Sequence, residues 1–198
     1  MALAILDCAG TSPRELTSPV VIARAIGLPV RKVPATAMRG ARGLLCRIEW
    51  KWTVFVSDVL PPEEVRFVVG HELAEHYLKT RGIDLAGLDK EAFCDQVSAN
   101  IVAPPEQFRE AVREHGLRLA PLARDFAVTQ TCVALRFAEV VGITVGVDTP
   151  DGPRLRGPAH DKIRSAADVR RLAQARRPYG VHKVRLTDQW GRVAVFPA

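Results

Sequence analysis

The sequence predicts an α+β fold, and three observations lead to that class. Five helical stretches follow one another between about residues 62 and 141. Short runs rich in apolar and β-favouring residues are segregated from them, at 44–57 and again beyond Gly142. Helix punctuation (Pro at starts, Gly or Pro after ends) separates the pieces. At 198 residues the chain is long enough for one ordinary core, or one core and a small appendage.

Taken in order, Ser18-Pro19 opens a short helix that Gly27 closes, with Ser18 at the N-cap and Pro19 in the first turn. The stretch Pro29–Arg42 reads as a loop. Leu44–Ile48 and Thr53–Ser57 read as strands, joined as a hairpin through Glu49-Trp50-Lys51. Pro61-Pro62-Glu63-Glu64 starts a long helix that ends in Lys79-Thr80-Arg81 before Gly82; acids at its start and bases at its end both suit the helix dipole. Further helices are expected over Lys90–Val102, Glu106–Glu114, Pro121–Phe126 and Thr129–Val141. Beyond them, Ile143–Val147 reads as a strand, 148–158 as turns and Ser165–Arg177 as an amphipathic helix. Val181–Leu186 and Val193–Phe196 read as a second hairpin. This divides the chain into a core (1–116), a helix-turn-helix-like pair (117–142) and a small basic α/β extension (143–198).

Composition narrows the class. The chain is 47% hydrophobic and 25% charged, the balance of a globular protein rather than a disordered one. No apolar run approaches the ~20 residues needed to cross a bilayer, so no membrane partner is expected. Cys8, Cys46, Cys94 and Cys132 are scattered and form no Cys-x-x-Cys pair, which suits reduced thiols and a cytoplasmic location. The formal net charge of +6 is uneven: residues 151–198 carry eleven Lys/Arg against four Asp, leaving 1–150 at −1. A solvated Arg-rich surface explains such a tail without a nucleic-acid partner, because no aromatic or Gly pattern accompanies it.

The chemistry is concentrated on the long helix. His71-Glu72 begins a stretch close to the zinc-peptidase signature His-Glu-x-x-His, in which two imidazoles one turn apart hold the metal and the Glu activates its water. Here the residue four after His71 is Glu75, and a histidine, His76, comes one position late. Positions four apart on a helix lie ~40° from alignment and positions five apart ~140°. A straight helix therefore sets Glu75 over His71, whereas a π-bulged turn would deliver His76 instead. Zinc accepts both nitrogen and oxygen ligands, so both alternatives stay open. Glu91 and Asp95, again four apart, are a candidate third ligand and an acid that would orient a ligand histidine through its second ring nitrogen. Glu72 is the candidate general base.

The run Val69-Gly70-His71-Glu72-Leu73-Ala74 followed by Glu91-Ala-Phe-Cys-Asp95 and by Ser98-Ala99, Ile101-Val102 and Pro104 resembles the ImmA/IrrE family of metallopeptidases over about residues 18–142. The resemblance implies a zincin-like metallopeptidase core binding one Zn2+ ion, with His71 and Glu91 as ligands and Glu72 as the catalytic residue. It also implies a protein substrate, a helix-turn-helix repressor, cleaved in a stress or mobile-element response. The family's second histidine falls on Glu75. The alternative function is a catalytically degenerate scaffold acting as a DNA- or protein-binding regulator.

Two further readings concern other residues. The 122–137 segment has helix-turn-helix grammar, with Thr129 as N-cap and Gln130, Thr131 and Arg136 available to a groove if DNA is bound. A packing role is favoured over DNA, since its second helix offers one Arg. His115 and Tyr179 are candidates to stabilise an oxyanion, His160 and His182 read as isolated, and Trp50 and Trp52 read as caps on the core.

Overall fold

The computed structural model describes residues 1–11, 18–149, 152–158, 161–175, 181–185 and 193–197. Eight α-helices and two small sheets are present among them, and the chain forms two compact units, Met1–Gln107 and Phe108–Ala198.

In the first unit, α1 (Ala2–Cys8) and α2 (Pro19–Ala25) precede β1 (Val30–Val33), a short 3-10 turn (Ala35–Met38), β2 (Gly43–Ile48) and β3 (Lys51–Ser57). They are followed by α3 (Pro62–Arg81) and α4 (Lys90–Val102). The sheet order is β1-β3-β2, with β2 antiparallel and β1 parallel to β3. Two of these elements depart from expectation. The N-terminal Ala-Leu-Ala-Ile-Leu run is a helix that buries Ile5 and Leu6, and the stretch expected as loop contains β1, whose burial does not alternate. A four-residue parallel strand carries little signal of its own; its pairing with β3 exists only in the folded chain.

The expected hairpin is present, with a tight turn at Glu49-Trp50 in which both residues have positive φ (46° and 68°). Trp50 projects from that turn at 84% exposure, so it does not cap the core; Trp52 packs against it. Helix α3 contacts the sheet through β2 and β3 and also packs along α4. Being covered on several sides, it buries Val65, Val68, Val69, Leu73, Ala74 and Leu78 with no single apolar stripe. Gly70 allows the close approach of the two helices: a Cβ there would lie 2.5 Å from Ser98 Oγ and 3.3 Å from Ser98 Cα. Ser98 spends its hydroxyl on the Phe67 carbonyl at 2.6 Å.

The second unit begins within α5 (Pro105–His115) and includes α6 (Leu119–Phe126) and α7 (Gln130–Val140). Beyond these come β4 (Val145–Asp148), β5 (Arg154–Arg156), α8 (Ala166–Gln174), β6 (Val181–Arg185) and β7 (Val193–Pro197). The strands form one antiparallel sheet in the order β5-β4-β7-β6. Neighbouring side chains on a strand face opposite ways. Accordingly Val195 packs with Ile163 and Val169 of the α8 side, while Phe196 meets Phe137 of α7 at 5.9 Å between ring centroids. Phe108 joins the same aromatic group through Phe137 and Phe126. Ser165 caps α8 in a reciprocal capping box with Asp168. The turn between the last two strands and the expected end of the amphipathic helix at Arg177 lie outside the described residues.

Candidate metal centre

The candidate residues come from the middle of α3 and the first half of α4. Helix α3 is α-helical without interruption from Pro62 to Arg81. One turn therefore separates His71 from Glu75, and Glu75 lies on the same face. Helix α4 starts at an N-cap, Asp89, which accepts a hydrogen bond from the Ala92 amide and so sets Glu91 in the first turn. Donor atoms of His71, Glu75 and Glu91 all lie within 4.8 Å of one another, the one such group among the described residues.

His71 is oriented from α4. Its Nδ1 is 2.9 Å from Asp95 Oδ1, where the ring N–H donates to the carboxylate. That tautomer leaves the Nε2 lone pair facing Glu91, whose Oε2 is 3.4 Å away. Burial pulls the His71 pKa down, but the Asp95 hydrogen bond and the charges of Asp95, Glu72 and Glu91 outweigh it and the net shift is upward. Glu91 stands in solvent and His71 is mostly covered, so the group opens outward from the α3–α4 joint.

Glu72 faces the sheet side of the same turn. It is 7% exposed, and a Cβ built on Gly43 would stand 2.6 Å from its Oε1, so the absence of a side chain on β2 makes room for this carboxylate. Desolvation pushes its pKa up to about 7, with Glu75 and Glu91 adding to the rise and His71 and Lys79 opposing it.

Of Glu75 and His76, Glu75 is the one whose donor atoms join His71 and Glu91. His76 is outside the group: its ring stands edge-on to Trp52 at 6.3 Å between centroids, and burial lowers its pKa. The bulged helix that would bring His76 beside His71 has no counterpart in α3.

Two lysines that the sequence reading passed over also belong here. Lys79 Nζ is 2.9 Å from Glu75 Oε2, and Lys90 Nζ is bonded to Glu75 Oε1. Burial would raise the Glu75 pKa, but these two bonds carry it below the usual carboxylate value. The i,i+4 spacing of Glu75 and Lys79 was readable in the sequence; the reach of Lys90 from another helix was not.

The donor set, one imidazole nitrogen and two carboxylates with an outward-facing opening, fits a divalent cation. Other candidates lie elsewhere. His115 Nε2 is 2.7 Å from Asp125 Oδ2, joining α5 to α6. His160 and Tyr179 are outside the described residues, as is the side chain of His182. In α7, Thr131 and Arg136 are buried, Arg136 at 1%, so neither is available to a DNA groove and the packing role fits them.

A profile for the IrrE N-terminal-like domain matches residues 23–138, more than half of the chain. The chain belongs to that family. Membership supports a metallopeptidase-like scaffold in a family that is usually zinc-dependent, with His71, Glu75 and Glu91 a possible site. Among solved structures, a Mycobacterium tuberculosis transcriptional regulator is similar in fold, with a TM-score of 0.61 at 13% identity over 99% of this chain and 86% of that one. No curated protein matches the chain in sequence. Among the described residues no helix is long and apolar enough to cross a membrane.

Proposed function

We propose that this chain is a zinc-dependent endopeptidase holding one ion between α3 and α4. Its substrate would be a helix-turn-helix repressor, cleaved in a stress or mobile-element response. The observation that carries the reading is the convergence of His71, Glu75 and Glu91 beside the buried Glu72, within an IrrE-type domain. His71, Glu75 and Glu91 are the residues that would hold the ion, and Asp95 fixes the His71 ring. A bound zinc supplies a water of lowered pKa and polarises the scissile carbonyl.

The remaining steps belong to Glu72. Glu72, buried beside the donor residues, takes a proton from the attacking water and returns it to the departing amine, so it ends the cycle as it began. Glu72→Gln should keep zinc and abolish cleavage of the natural substrate, or of a peptide library profiled by mass spectrometry. His71→Ala should lose the zinc, measured as metal equivalents per chain. Wild-type cleavage by Glu72→Gln would end this mechanism.

A second reading has one observation behind it. Both Glu75 oxygens are engaged by lysines, which supports a degenerate scaffold acting as a DNA- or protein-binding regulator. Absence of His71-dependent zinc from the purified chain would select this reading over the enzyme.

A further inference from the structure

Glu75 is where α3 and α4 are tied together, and two different ties compete for it. Its carboxylate is one of the three converging donors, yet Lys79 Nζ sits 2.9 Å from Oε2 and Lys90 Nζ is bonded to Oε1. Lys79 lies one turn further along α3, while Lys90 opens α4 immediately before Glu91. The Glu75 side chain is only 13% exposed, so the two ammonium groups, rather than bulk water, are its main solvation. Each ammonium occupies a lone-pair direction that a metal ion needs, and each repels a divalent cation at the same oxygen. Both lysines are themselves well exposed. Together with Leu78 and the 82–88 loop they line an open cavity of about 490 Å³, which leaves room for either side chain to swing away.

We propose that the lysine pair, Lys90 above all, and a divalent metal ion are mutually exclusive partners of Glu75. The lysine clamp then joins α3 to α4 in the metal-free protein and sets the metal concentration at which the site fills. The proposal rests on the reading of His71, Glu75 and Glu91 as the metal donors. It accounts for an otherwise odd pairing: a carboxylate at the second-ligand position carries a charge that a histidine there would not, and the lysines neutralise it until a metal arrives.

The test is a chelator-competition titration of the full chain with zinc alone. It compares wild type, His71→Ala, Lys90→Gln, Lys79→Gln, Glu75→Gln and the Lys90→Gln/Glu75→Gln double variant. Releasing Glu75 from one charge-assisted bond that the metal would otherwise have to break predicts about tenfold tighter zinc binding in Lys90→Gln. Lys79→Gln should move the affinity the same way, and in the Glu75→Gln background the Lys90 effect should vanish. The clamp is overturned if neither lysine variant tightens binding, or if Lys90→Gln tightens it equally without Glu75. Should wild type bind zinc in a His71-dependent way while the lysine variants match it, the clamp fails and the donor assignment stands. Should no variant bind zinc through His71, both fall together.

Discussion

Burial against Gly43 lifts the Glu72 carboxyl out of the ordinary carboxylate range in the metal-free chain. The same lift has a thermodynamic signature. With a folded pKa of about 7 above the ordinary 4.5, the metal-free folded chain keeps a proton that the unfolded chain releases between those pH values. The stability this contributes is fully present below pH 4.5 and is lost as the pH rises through 7. Glu72→Gln cannot titrate, so with chelator present its stability relative to wild type should improve by roughly 2–3 kcal/mol between pH 4.5 and pH 8. Denaturant melts at the two pH values measure this; a constant difference would mean that the carboxyl is not desolvated. Asp95 acts on a different atom, fixing the His71 tautomer so that Nε2 stays free to accept.

At the scale of elements, the site depends on how closely α3 and α4 approach. Gly70 is the contact that permits it, since any Cβ there runs into the Ser98 side chain and crowds its backbone. Backbone cannot yield as a flexible side chain can. Gly70→Ala should therefore cost about 1–3 kcal/mol of stability by overpacking, and it should weaken zinc binding because His71 and Glu91 lie on opposite sides of the displaced joint. Thermal melts and zinc titration of the variant check the two halves. Retention of wild-type zinc affinity would mean that the donors are not held by the helix packing. Gly43 has a comparable role on the sheet side, where β2 passes Val68 and Glu72 with no side chain of its own in the way.

For the whole molecule, charge and burial together decide what the second unit offers. Residues 108–198 carry sixteen Lys/Arg against nine acids, and residues 1–107 twelve against thirteen. The basic balance thus belongs to the unit that contains the helix-turn-helix-like pair. Yet two of the three α7 side chains that would read a groove, Thr131 and Arg136, are buried, with Arg136 2.7 Å from Glu139. Arg136→Ala should cost about 2–4 kcal/mol by emptying the space of a fully buried side chain. Any duplex-DNA affinity of the chain should instead come from exposed bases, fall steeply between low and physiological salt, and be unchanged by Gln130→Ala. Urea melts and fluorescence anisotropy at two salt concentrations measure these outcomes; a Gln130-dependent, sequence-selective affinity would restore the groove reading.

The sequence by itself determined the α+β class, the long helix from Pro62 and the pairing of α3 with α4 as carriers of the candidate site. Caps, prolines and i,i+4 spacing are local, so they leave a readable mark. It also set Glu75 over His71 for a straight helix, because helical rotation is a property of the chain, but left open whether the helix is straight. Only the tertiary structure decided that His76 turns to Trp52 and that Lys90 reaches Glu75. It likewise decided that Gly43 opens a space for Glu72 and that Arg136 is buried. Each of these is a contact between elements brought together by packing, and the distance between two such residues along the chain carries no trace of it.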